Sequence, residues 1–362
     1  MPDMIKKLPT LISASILFIL LAQCGFYLLH NARFVFSDEH QFLDILMKNS
    51  LPFPTTMGNG RFWPLLFQEY RLYLLNISEP NIIIGVMHAH NFVKLILTIT
   101  FICLSLRKFI STYISLLTCA IVLIYSRFFL IYSWSQGTES TIIMLWAFWF
   151  CLATYAFKTD KAIYFISASL VASLAFYLKE TAFILFTPAS IAIILLNYKN
   201  ISLRAKAYHI TVICSFLIYI ALYYFFAYKT SVSFYNIGRS QLNIPDILIN
   251  YITTYKIIII CILIFILRCI YFHYQRKIKI NIADALLLNS LLFILGYALL
   301  KLSDFYYVIP AIPSLIISIV LYINMAYSFI KEKNIFDISG YKKKIYIHRN
   351  FDHYYSIFIS SI

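Results

Sequence analysis

Charge is what this sequence has least of. Only 12% of its 362 residues are Asp, Glu, Lys or Arg, and 15 acids stand against 30 bases. A soluble domain is about 25% charged and 45–50% apolar. Here 61% of residues are apolar and the mean hydropathy is +0.79. Glycine is scarce as well, eight in all, and no glycine-rich phosphate loop occurs, which excludes a Rossmann-type or P-loop nucleotide site. The seven cysteines (24, 103, 119, 151, 214, 261 and 269) all fall inside apolar runs at no metal-ligand spacing, so they read as apolar filler. No internal repeat stands out, which counts against an inverted-repeat transporter.

What is present is apolar sequence in long stretches. One soluble core cannot hide that much apolar surface, so the bilayer acts as its solvent. A helical span needs about 20 apolar residues, and ten stretches qualify: 8–30, 82–106, 109–131, 139–157, 162–178, 181–197, 208–227, 256–274, 282–300 and 306–328. The expectation is an all-α, polytopic transmembrane bundle of about ten spans over residues 1–330, followed by a basic tail, 331–362. The fifth and sixth spans are short and meet at Lys179-Glu180, so they read either as two crossings or as one re-entrant hairpin. Met1–Lys7 is basic, and the run after it is too long for a signal-peptide core. It reads as an uncleaved anchor.

The net charge of +15 carries no basic stripe interleaved with aromatics, so it does not point to nucleic acid. The basic residues lie mainly between spans, the pattern that orients a membrane protein. With both termini cytoplasmic, the inside segments hold 18 of the 30 Lys and Arg residues. That orientation leaves two sizeable outside loops, 31–81 and 228–255. The inside carries only short connections and the tail, which reads as a membrane-surface tether.

The first outside loop is the richest in chemistry. Ser37 can cap a helix whose first turn holds Asp38 and Glu39, where the helix dipole favours carboxylates. Phe42, Ile45 and Leu46 share one face, as in an amphipathic helix lying on the membrane. Pro52 and Pro54 end it, Met57–Gly60 is a turn, and Arg61-Phe62-Trp63-Pro64 opens a second interfacial segment. Other charges reach the same membrane level from different spans: Glu139, Arg127, Lys179, Glu180, Lys301 and Asp304. Ionisable groups this near hydrocarbon generally face a cavity or a partner. His88 and His90, at i and i+2, point to different sides of a helix and read as polar packing rather than a metal pair. Lys94, one turn deeper, reads as facing the bundle interior.

In the order and sidedness of these features the sequence resembles the GT-C glycosyltransferases, polytopic enzymes that take a sugar from a polyprenyl-phosphate donor. The matching features are Asp38-Glu39 opening the first outside loop, the amphipathic helix and GRFWPL segment after it, and Glu139 behind the third span. Tyr177–Glu180, and Tyr306-Tyr307 before Pro310 and Pro313, complete the match. The acidic pair with its downstream Gly60-Arg61 is also similar to the serotype-converting O-antigen glucosyltransferases of that class. The resemblance implies a bacterial inner-membrane hexosyltransferase of lipopolysaccharide biosynthesis. It would act on a polyprenyl-phosphate-linked sugar and a glycan or lipid-linked acceptor. Sidedness agrees, because nucleotide sugars are made inside while the candidate residues lie outside. Asp38 would serve as general base in an inverting displacement, with Glu39 or Glu139 orienting the acceptor. Arg61, Arg127, Lys179 and Lys301 would meet the leaving phosphate. Glu180, Asp304, Tyr306 and Tyr307 would bind substrate. A divalent metal is compatible with this many carboxylates and is not required for a monophosphate leaving group. The competing expectations are a polysaccharide polymerase and a lipid-linked sugar flippase or transporter.

Overall fold

The computed structural model describes residues 2–30, 65, 79–125, 128–133, 138–179, 181–228, 243–275 and 280–338. Within these residues the chain is helical and no strand occurs. That outcome follows from the solvent: in hydrocarbon every backbone N–H and C=O must be satisfied within its own segment, and a helix does this.

Twelve α-helices follow in order. They are α1 (Pro2–His30), α2 (Pro80–Leu106), α3 (Thr112–Ile124), α4 (Leu130–Ser133), α5 (Thr138–Thr159) and α6 (Ala162–Phe176). Then come α7 (Thr187–Asn197), α8 (Leu203–Tyr223), α9 (Ile244–Thr254), α10 (Ile257–Gln275), α11 (Ile282–Leu299) and α12 (Ile312–Ile338). Seven are long and apolar enough to cross a membrane: α1, α2, α5, α8, α10, α11 and α12. The chain is therefore a multi-pass membrane protein in character. The third expected span is shorter than the apolar run suggested, because α3 stops at Tyr125, which caps it in an extended conformation. The sixth is broken, with a 3₁₀ turn over Ala182–Leu185 ahead of α7. At α6, 15 residues reach about 22 Å, short of a hydrocarbon core of roughly 30 Å. At the other end of the chain, α12 runs to Ile338, into the stretch read as tail.

Helix α5 is the core of the bundle. It packs against α2 on one side and α6 on the other, and the 3₁₀ turn Phe305–Ala311 rests near its start. Trp146, Ala147 and Phe150 are fully buried along it. By contrast α1, α8 and α10 expose Leu, Ile and Phe along most of their length. In water such surfaces would be a liability; in a bilayer they are lipid contacts.

Polar side chains satisfy the irregular points. The break before α7 leaves backbone groups open at membrane depth, and Asn289 of α11 answers both sides of it. Its Nδ2 donates to the Leu185 carbonyl and its Oδ1 accepts from the Ala189 N–H, each at 2.8 Å. At the other end of α11, Asn281 and Asp284 form a reciprocal capping box. Asp284 also takes two hydrogen bonds from Arg268 of α10, at 2.8 and 2.7 Å, and one from the Tyr322 hydroxyl of α12. That bidentate pair fastens three helices together. All seven cysteines are free thiols.

Replacing Asn289 by Leu keeps the volume and strands a buried carbonyl and a buried amide. The expected loss is about 2 kcal/mol, read as a lower unfolding midpoint of the detergent-solubilised protein.

Candidate functional site

The polar residues singled out at one end of the bundle converge on the start of α5. Glu139 lies in the first turn of that helix, where the dipole favours a carboxylate. Lys179 leaves the end of α6, just past a tight turn in which Leu178 N–H donates to the Ala175 carbonyl. The two form a buried ion pair, their side chains only 8% and 6% exposed. Thr138 adds a hydrogen bond to the other carboxylate oxygen at 3.2 Å.

Aromatic rings enclose the ammonium. Lys179 Nζ sits 5.8 Å from the Tyr297 ring centroid and 5.1 Å from that of Tyr307, within cation–π range. The two rings stack on each other at 5.1 Å, and Tyr306 lies 4.2 Å from Tyr307. Thr181 and the Tyr297 hydroxyl are hydrogen-bonded at 2.5 Å. Tyr306 is near enough to Glu139 and Asp304 for both carboxylates to act on its hydroxyl. Asp304 caps the 3₁₀ turn that carries these tyrosines, its carbonyl accepting from Tyr307 N–H at 3.2 Å.

Two further elements reach this cluster. Leu65, in the segment between α1 and α2, donates its backbone N–H to the Tyr177 carbonyl at 3.2 Å, two residues before Lys179. Arg61 stands four residues before Leu65 in the sequence. From the segment between α8 and α10, α9 buries Tyr251 completely. Burial, with Tyr297, Tyr307 and Asp304 adding to it, holds the Tyr251 phenol well above its ordinary range, so it stays a neutral donor.

A second polar group adjoins the first. Lys94 of α2 is fully buried and donates to Thr141 Oγ1 at 2.8 Å, two residues along α5 from Glu139. One turn on, Thr98 bonds back to the Lys94 carbonyl and meets the Tyr132 hydroxyl at 2.9 Å. The interior position expected for Lys94 is therefore what the structure has. His88 is buried on α2 as well, and among the described residues no three His, Cys, Asp or Glu side chains gather as a metal site would require.

No family model, curated protein or solved structure matches this chain. The site must therefore be read from its own geometry. Of the residues anticipated from the sequence, the structure brings Glu139, Lys179, Asp304, Tyr306 and Tyr307 together. Lys301 stands three residues before Asp304, at the end of α11. Asp38, Glu39, Arg61, Arg127 and Glu180 lie outside the described residues. Sequence reasoning missed Tyr297, Thr181 and Tyr251. Tyr297 sits within an apolar span, Thr181 beside a charged pair and Tyr251 inside a polar loop, and no local pattern sets any of them apart.

Chemically the arrangement fixes one carboxylate in a dry, aromatic-lined setting. Lys179 directs its charge at Glu139, which offsets the cost of burying the carboxylate. Lys179→Met leaves Glu139 uncompensated and should cost about 3 kcal/mol, while Lys179→Met with Glu139→Leu should recover most of that loss. Thermal unfolding of the three proteins in detergent measures the difference.

Proposed function

We propose that this chain is an integral membrane glycosyltransferase that moves a hexose, glucose being the first candidate, from a polyprenyl-phosphate donor to a surface glycan such as O-antigen. The transfer takes place at the extracytoplasmic face of a bacterial inner membrane, with both termini cytoplasmic. The observation that carries this reading is the buried Glu139–Lys179 pair, walled by Tyr297 and Tyr307 and gathered at one end of the bundle. A transporter would set its essential charges near the bilayer midplane, in broken helices open to both sides. Here Glu139, Asp304, Tyr306 and Tyr307 share one end, and the break before α7 is closed by Asn289.

In this reading Asp38 is the general base. It takes the proton of the acceptor hydroxyl as that oxygen attacks the anomeric carbon. The bond from that carbon to the donor's phosphate oxygen breaks as the new one forms, so the configuration inverts. Glu39 stands beside the base. Glu139, held by Lys179, accepts a hydrogen bond from a substrate hydroxyl and orients it, and Glu180 and Asp304 bind substrate hydroxyls in the same way. Tyr307 backs the site, and Tyr306, the less buried of the two, offers a ring suited to the apolar side of a sugar. The phosphate that leaves with the lipid is met by Arg61, Arg127 and Lys301, whose cations offset its developing charge. The hydrogen bond from Leu65 to Tyr177 supports placing the Arg61 segment beside the Lys179 junction.

The decisive experiment uses a labelled polyprenyl-phosphate sugar with membranes carrying Asp38→Asn or Glu39→Gln. Sugar transfer should fall about a hundredfold or more while membrane insertion stays normal. Full activity in both variants removes the base assignment. Solute uptake by purified protein in vesicles lacking any lipid-linked sugar would favour a transporter instead.

A further inference from the structure

Glu139 marks one end of α5, and a group of exposed bases marks the other. The 22 residues of this helix rise about 33 Å, against roughly 30 Å of hydrocarbon, so its two ends meet opposite faces of the membrane. Arg107 and Lys108 follow α2, Lys158 lies in the last turn of α5, and Lys161 caps α6. All four are exposed. The acid among them, Asp160, is committed elsewhere: it accepts hydrogen bonds from Arg204 at 2.8 Å and from Ser202 at 3.2 Å. The corner where α2 and α5 end and α6 begins therefore keeps a net positive charge.

Aromatic rings fix where two of these ammonium groups stand. Lys108 Nζ is 4.4 Å from the centroid of the Tyr155 ring on α5, and Lys158 Nζ is 5.2 Å from that of Phe109, next to Lys108 in the chain. The contacts run both ways between the ends of α2 and α5, so the two cations share one corner. A ring takes up one side of an ammonium, and with three N–H donors on each group the exposed side keeps others for a further partner. Tyr155 also meets Tyr164 of α6 at 5.6 Å, which carries the corner on to that helix. There Ile163, Ile166, Leu170 and Leu174 are each half exposed or more. Their spacing of three and four residues makes one apolar stripe down α6, while Ala168, Ala172 and Ala175 on its other side are buried. Cations at the head of an apolar stripe match the shape of a lipid with a negative headgroup.

We propose that this corner binds an anionic phospholipid, with Lys108 and Lys158 at its phosphate and an acyl chain along Ile163, Ile166, Leu170 and Leu174. Tyr155 and Phe109 are positioning residues, which hold the ammonium groups at headgroup level and reduce the freedom they lose on binding. A zwitterionic lipid fits less well, because its own cation already offsets its phosphate and brings a like charge to the corner. The site lies across the membrane from Glu139 and stands independently of the glycosyltransferase reading.

Native mass spectrometry of the full chain in detergent tests this, with phosphatidylglycerol and phosphatidylcholine of the same acyl chains as probes. The parent protein should hold phosphatidylglycerol about ten-fold more tightly, and phosphatidylglycerol should raise its unfolding midpoint more than phosphatidylcholine does. Lys108→Gln with Lys158→Gln should bring the two lipids level, while Lys108→Arg with Lys158→Arg should keep the preference. Tyr155→Leu, which leaves every charge in place, should cost about three-fold in phosphatidylglycerol affinity. Equal retention of the two lipids by the parent protein, or an unchanged preference in the double Gln variant, overturns the proposal. Release of bound phosphatidylglycerol by millimolar glycerol phosphate overturns the lipid as the occupant, since a site that uses the acyl chain holds it against the headgroup alone.

Discussion

The ion pair between Glu139 and Lys179 joins the start of the deeply buried helix α5 to the junction between α6 and α7. Both charges are buried. Removing two charges from water costs several kcal/mol each, and their attraction offsets this only when the geometry is good and the remaining lone pairs and protons are satisfied. Thr138 on the carboxylate and two tyrosine faces around the ammonium supply that satisfaction. The tyrosines come from α11 and from the turn before α12, so the pair also fixes where those two elements sit. Four elements of the chain are held at one point.

The same requirement explains the polar groups elsewhere in the bundle. Several buried donors and acceptors that break the apolar pattern join one helix to another. Asn289 closes the interrupted path before α7. Asp284 gathers α10, α11 and α12 through Arg268 and Tyr322. Trp149 Nε1 donates to Tyr208 at 2.7 Å and ties α5 to α8. Helices in lipid gain nothing by hiding apolar surface from one another, so packing and such bonds decide their order.

For the chemistry, the consequence is a fixed carboxylate. Glu139 is held in place by a buried lysine, which suits orienting a hydroxyl, and the glycosyltransferase reading draws its force from this pair and the tyrosines around it.

By itself the sequence determined that the chain is helical and membrane-embedded, because a hydrocarbon solvent leaves few alternatives to an apolar, helical segment. It also marked Glu139, Lys179, Asp304, Tyr306 and Tyr307, since ionisable groups and paired tyrosines at the edge of apolar runs are conspicuous. It could not show that Glu139 pairs with Lys179, because the two are 40 residues apart and no periodicity links them. The roles of Tyr297, Thr181, Tyr251 and Asn289 were equally hidden, each being an ordinary residue in its local setting. Nor did the apolar runs reveal that α3 would be short or that the sixth span would break at Phe186. Those points depend on which helices meet, and contacts between distant segments arise from packing that only the tertiary structure decides.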